Sequence, residues 1–146
     1  WDVIEHPGSV SIVPIDAEDN VLLVRQYRPA IREILLEIPA GTLELGEAPE
    51  VSAHRELREE IGMRAEQLRA IGSYYVVPGY SSELMHAYVA TDLSPAPLPQ
   101  DEDEDIVVES TPFAELVVRV SRGELRDAKT VAAVLMLAHE RGMDGS

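Results

Sequence analysis

Cysteine is absent from the 146 residues, which removes disulfides, thiolate nucleophiles and thiolate metal ligands together. Basic residues are scarce: 12 Lys and Arg stand against 27 Asp and Glu, for a formal net charge of −15. Nucleic acid binds by having its phosphates neutralised by Lys and Arg, so no nucleic-acid partner is expected of such a surface. No apolar run approaches the ~18–20 residues that a membrane span needs, and no basic start leads into an apolar stretch as in a signal peptide. No membrane partner is expected, and the cytoplasm is the default location. The chain opens at Trp1 rather than Met, so sequence upstream of it is expected. What remains is ordinary for a globular protein: 45% apolar residues and a length suited to one core, read as a single domain over 1–146.

Val10–Ile15 and Val21–Tyr27 read as strands joined through the turn-rich Asp16–Asn20 as a hairpin. A third apolar run, Ile34–Ile38, stops at Pro39-Ala40-Gly41. Pro49 then opens a helix at its first turn, and Gly62 closes it after Ile61. Leu68–Val77 and Leu84–Ala90 read as further strands, followed by a proline-rich then acidic stretch, Pro95–Asp105, and a strand-like Ile106–Val108. Thr111 is expected to cap a second helix and Asp127 a third, whose apolar positions Val131, Val134, Leu135 and Ala138 recur at helical spacing. Strands and helices mix without regular alternation, which indicates an α+β or mixed α/β fold.

The segment 41–63 concentrates acids and glycines. At about 100° per residue, Glu56 and Glu60 lie one turn apart on one helix face with Glu59 beside them, while Ala53, Leu57 and Ile61 form an adjacent core-facing arc. Carboxylates one turn apart repel one another by a few tenths of a kcal/mol. Hard oxygen ligands in such a cluster suit Mg²⁺, with Mn²⁺ as a substitute. Arg55, four residues before Glu59, can orient it with a fork of N–H donors. The helix alone is equally readable as a solvated Glu/Arg surface; the residues around it decide.

Gly41, Glu47, Arg55, Glu56, Leu57, Glu59, Glu60, Gly62 and Met63 match G-x5-E-x7-R-E-U-x-E-E-x-G-U, where U is a bulky aliphatic residue. This resembles the Nudix box at every specified position. The resemblance implies a loop-helix-loop gripping divalent cations within an α/β/α sandwich with a mixed sheet. It makes Glu56 and Glu60 metal ligands, Glu59 a further ligand or an orienting acid, the Ala40 carbonyl an additional ligand, and Glu47 a support from the loop.

Flanking residues narrow the family. Val24-Arg25-Gln26-Tyr27-Arg28, Glu37-Ile38-Pro39-Ala40-Gly41, Pro78 at 16 residues after Gly62, Gly79-Tyr80-Ser81-Ser82-Glu83 and Gly123–Thr130 are similar to the ADP-ribose pyrophosphatase subgroup. The resemblance implies Mg²⁺-dependent hydrolysis of ADP-ribose to AMP and ribose 5-phosphate. Arg28 is either a surface arginine or, as favoured in this context, a contact to the diphosphate. Glu37 is either a contact to the terminal ribose or a support. Pro78, Gly79, Ser81 and Glu83 are expected at the substrate. In the acidic run Asp101–Asp105 the subgroup carries its general base; the match places it on Glu102, with Glu104 next in line and Glu59 after them. Trp1, Tyr74, Tyr75 and Tyr80 are candidates to stack on adenine, with nothing to select one. A homodimer is expected by resemblance alone. The rival readings are a hydrolase of another nucleoside diphosphate derivative and a non-catalytic nucleotide sensor, which an intact set of box acids disfavours.

Overall fold

The computed structural model describes residues 2–99 and 107–143. Within them the chain forms β1 (Ser9–Pro14), β2 (Asn20–Arg28), β3 (Glu33–Glu37), β4 (Ala40–Thr42), α1 (Pro49–Ile61), β5 (Met63–Tyr75), β6 (Leu84–Pro95), β7 (Val107–Pro112), α2 (Phe113–Ser121) and α3 (Ala128–Glu140). One sheet runs β4-β1-β6-β5, parallel between β1 and β6 and antiparallel elsewhere. The other runs β3-β2-β7 and is antiparallel throughout. The expected mixed α+β architecture is what forms.

The reason lies in β1, which is buried along its whole length. Successive side chains of a strand point to opposite faces. Val10 and Ile12 therefore join Ala53, Leu57 and Ile61 of α1 in one core. Val13 joins Phe113 and Leu116 of α2 and Val134 and Leu137 of α3 in the other. A sheet covered on both faces needs an apolar run rather than alternation, and Val10–Val13 supplies one apart from the small Ser11. The expected core arc of α1 is thus confirmed, and truncating a fully buried residue such as Leu57 to Ala should cost about 2–5 kcal/mol.

The expected hairpin between the first two strands does not form. They meet only at the bridge Ile15↔Val21 and then part into different sheets. Both edges of β1 are occupied, by β4 and by β6, so β2 pairs with β3 and β7 instead. The turn itself is as read: Asp16 Oδ1 accepts the N–H groups of Glu18 and Asn20, both at 2.9 Å. Nor does the chain stop at Pro39-Ala40-Gly41. Pro39, without an N–H, stands two residues past the end of β3, and Ala40–Thr42 crosses to the other sheet as β4.

Helix α1 has the expected bounds, with Gly62 at φ 67° as its left-handed cap. Thr111 is not a cap. It is buried inside β7 opposite Val21, and the first N–H of α2, on Phe113, donates to the Asp19 carbonyl at 2.9 Å. Asp127 does cap α3, accepting from the Thr130 N–H. The buried face of α3 is Thr130, Ala133, Val134, Leu137 and Ala138; Val131 packs at its margin, whereas Leu135 turns outward.

Candidate active site

Helix α1 turns its acidic face toward β4. Glu56 and Glu60 are each only 8% exposed, and Glu59 is about one-third exposed. Burying carboxylates costs free energy unless they are paired or hydrogen-bonded, and Arg55 supplies much of the pairing. Its Nη1 donates to Glu56 Oε1 at 3.0 Å and to Glu59 Oε2 at 3.3 Å. Its Nε and Nη2 grip Glu47 at 3.0 and 2.9 Å. That grip, with the Glu44 N–H, holds the Glu47 carboxyl down at about 2 and raises the Arg55 guanidinium. Glu60 Oε2 accepts the Ala40 N–H at 3.2 Å, which ties the helix to β4. The loop, the helix and β4 are thus joined in one hydrogen-bonded unit, with Glu47 on the loop side of Arg55.

This unit walls one side of a cavity of about 620 Å³. Its lining brings together Ala40, Gly41, Arg55, Glu56, Glu59 and Glu60 with Arg28 and Glu83 from the expected set. Arg28, Lys129 and Asp127 belong to the same lining. Arg28 Nε and Nη2 donate to the two oxygens of Glu37 at 2.8 and 2.6 Å, and Lys129 Nζ donates to Glu37 Oε1 at 2.5 Å and to Asp127. Glu37 is buried (1% exposed), so it stands behind that lining. Burial alone would raise its carboxyl; the hydrogen bonds and charges of Arg28 and Lys129 outweigh that and lower it.

Lys129, His6, Ser9 and Asp127 also line the cavity and were not singled out for it by sequence. Ser9 Oγ donates to Glu83 Oε2 at 2.7 Å, and His6 Nε2 stands 3.9 Å from Glu83 Oε1. Pro78, Gly79 and Ser81 do not reach this lining. They border a smaller hollow of about 280 Å³ with Val3, Tyr75, Tyr80 and Ser82. Ser81 there shapes the turn, its Oγ accepting the Glu83 N–H at 3.2 Å. Tyr75 and Tyr80 are exposed, while Tyr74 packs against the core with its hydroxyl donating to the Lys129 carbonyl. Glu102, Glu104 and Trp1 lie outside the described residues.

The donor set suits a hard divalent cation. Glu56, Glu59 and Glu60 offer oxygens on one helix face at a cavity, buried further than a solvated surface would require. Among the described residues no group of three or more His, Cys, Asp or Glu side chains is placed to hold a metal ion.

A family model described as NUDIX domain matches residues 5–134. The chain is 36% identical over 138 residues to an ADP-ribose pyrophosphatase of Bacillus subtilis (strain 168), covering 93% of this chain and 75% of that one. It is 38% identical over 140 residues to the methanol dehydrogenase activator of Bacillus methanolicus, covering 93% and 75%. A GDP-mannose pyrophosphatase of Salmonella paratyphi B is 35% identical over 146 residues, covering 94% and 76%. A crystal structure of an ADP compounds hydrolase matches with a TM-score of 0.84 at 29% identity, covering 94% of this chain and 75% of that one.

Proposed function

The chain belongs to the NUDIX family and is a Nudix hydrolase, and from that premise we propose that it hydrolyses the diphosphate bond of ADP-ribose, with Mg²⁺, to AMP and ribose 5-phosphate. The observation that carries this reading is a single cavity whose lining holds the box carboxylates of α1 together with Arg28 and Lys129. A diphosphate bound there meets both cation-binding oxygens and a guanidinium.

Glu56, Glu60, Glu59 and the Ala40 carbonyl are the groups that would hold the metal. Bound ions of this class neutralise charge on phosphate oxygens and acidify a water. Arg55 keeps Glu56 and Glu59 in place, and the Ala40 N–H does the same for Glu60. Arg28 offers the part of its guanidinium that Glu37 leaves unused to a phosphate oxygen. The attacking water adds to one phosphorus, the bridging P–O bond breaks, and the water's proton passes to a carboxylate, assigned to Glu102 with Glu104 next in line and Glu59 after them. Glu83 is assigned to substrate binding, with Pro78, Gly79 and Ser81 in the loop before it. A homodimer and a cytoplasmic location complete the proposal; no helix among the described residues is long and apolar enough to cross a membrane.

The rival substrate is a different nucleotide sugar, given the GDP-mannose pyrophosphatase among the relatives. One panel decides: ADP-ribose, GDP-mannose, NADH and a dinucleoside polyphosphate, each with Mg²⁺, with the nucleotide product identified. AMP release from ADP-ribose at the highest kcat/KM is the expected result. Preferred turnover of GDP-mannose overturns the substrate, and ADP-ribose binding without turnover of any compound overturns catalysis in favour of a sensor.

A further inference from the structure

Four charged side chains from three elements meet at the cavity, three of them in its lining and Glu37 behind them. Arg28 comes from β2, Glu37 from β3, and Asp127 and Lys129 from the start of α3. Exposure falls inward, from 40% for the Arg28 side chain to 14% for Asp127, 10% for Lys129 and 1% for Glu37. Their charges cancel. Only Glu37 touches both cations, and its Oε1 accepts from Arg28 Nη2 and Lys129 Nζ at once.

The arrangement has a direction. Glu37 occupies Nε and Nη2 of Arg28, one edge of the guanidinium, and leaves Nη1 for the cavity that Arg28 lines. A carboxylate can hold an arginine in that bidentate pose only if its own orientation is fixed. Lys129 fixes it, being anchored in turn. Asp127 grips Lys129 Nζ at 2.9 and 3.0 Å, and the Thr130 hydroxyl next to it accepts the Ile38 N–H at 3.0 Å. The first turn of α3 is thereby bolted to the chain at Glu37 and at the next residue, Ile38.

We propose that Lys129 is a positioning residue for the cavity: acting through Glu37, it aims the free edge of Arg28 at an anionic group of the substrate, a phosphate oxygen in the reading above. It contributes to binding without needing to touch the ligand. Removing its charge leaves buried Glu37 with Arg28 alone, and the carboxylate is then free to turn and take the guanidinium with it.

The kinetic part of the test rests on the proposed hydrolysis of a nucleoside diphosphate; the spectroscopic part does not. Lys129→Met should raise KM for ADP-ribose by about tenfold while kcat changes by less than about threefold. Lys129→Arg should restore most of the loss. In an Arg28→Ala background Lys129→Met should have no further effect on KM; additive effects would overturn the proposal, because they require Lys129 to act other than through Arg28.

The second readout is the Arg28 Nε–H resonance in a ¹⁵N spectrum, assigned by its disappearance in Arg28→Lys. It should exchange slowly in the native protein and fast in Lys129→Met. An unchanged resonance overturns the proposal whether or not any substrate is turned over. If Lys129→Met does not fold, the neutral pair Glu37→Gln with Lys129→Met is compared with Glu37→Gln alone. Identical Arg28 resonances in the two support the proposal, and a further change on losing Lys129 overturns it. A native protein that hydrolyses none of the panel refutes the function and leaves these spectra to decide on Lys129.

Discussion

Gly41 stands where any side chain would collide with the Glu56 carboxyl group, since a Cβ built there falls on it well inside contact distance. The glycine is needed for space and not for backbone freedom, because its φ is not among the positive ones. Glu56 in turn is held by Arg55 Nη1 at 3.0 Å, so it has a defined position to be pushed out of.

Gly41→Ala should therefore fold and lose activity. The backbone accepts alanine, and the mobile end of a glutamate can yield, so the melting temperature should stay within a few degrees. The displaced carboxylate should cost about a hundredfold in kcat, the scale of a reacting group misplaced by about 1 Å. Steady-state kinetics beside a thermal melt check both halves. Native kcat in a folded Gly41→Ala protein would show that the position of Glu56 does not matter to turnover.

Arg55 is one guanidinium serving Glu47, Glu56 and Glu59. A lysine keeps the charge but cannot present a fork to Glu47 while a separate nitrogen reaches the helix. Arg55→Lys should retain most of the stability and lose about tenfold or more in kcat/KM. Arg55→Met leaves three carboxylates around an apolar chain and should destabilise by about 1–3 kcal/mol, less than for a sealed site because the Arg55 side chain is 23% exposed. Denaturant melts rank the two variants; equal stability for Met and Lys would refute a stabilising role for the Arg55 charge.

How much of this was legible in the chain differs from residue to residue. The box helix could be read to its end because its signals are local. Pro49, the arc of Ala53, Leu57 and Ile61, and Gly62 all act within one element. The β1–β2 hairpin was misread because pairing is decided by which edges remain open, and β4 and β6 take both edges of β1. Thr111 resembled a cap because a hydroxyl before a helix reads the same whether it faces the helix or a strand partner. The role of Lys129 was not legible, although the Gly123–Thr130 stretch that contains it was. In sequence it is a basic residue in the first turn of a helix, and its partner Glu37 is 92 residues away. A lysine placed where a helix start disfavours positive charge was the one available hint.

Among the box acids, Glu60 is tied to the β4 backbone through the Ala40 N–H. Glu60→Gln keeps the size of the side chain and one oxygen to accept that N–H, but removes the charge a cation needs. Turnover should fall by at least about a hundredfold, and the Mg²⁺ concentration for half-maximal activity should rise. A Mg²⁺ titration of activity for both proteins is the measurement. An unchanged half-maximal concentration with a low plateau would move Glu60 from holding the metal to another role.

Acid should loosen the box before it unfolds the cores. The Glu47 carboxyl is lowered from 4.5 to about 2, chiefly by its hydrogen bonds from Arg55 and then by the Glu44 N–H. A folded-state value below the unfolded one stabilises the protein above the unfolded value, and the contribution fades as pH falls toward the folded one. The window for Glu47 thus runs from about pH 4.5 down to about pH 2. Glu37 is lowered as well, its burial outweighed by Arg28 and Lys129, and adds to the slope in the same direction. Exposed Glu140, lowered by Arg69, does likewise. Glu47→Gln isolates the first contribution, since the other two are common to both proteins. Its melting temperature should lie below that of the native protein at neutral pH, and the gap should narrow steadily as pH drops through the window. A gap that holds constant down to pH 3 would mean that Glu47 supports the loop by shape and neutral hydrogen bonds, with no contribution from its charge.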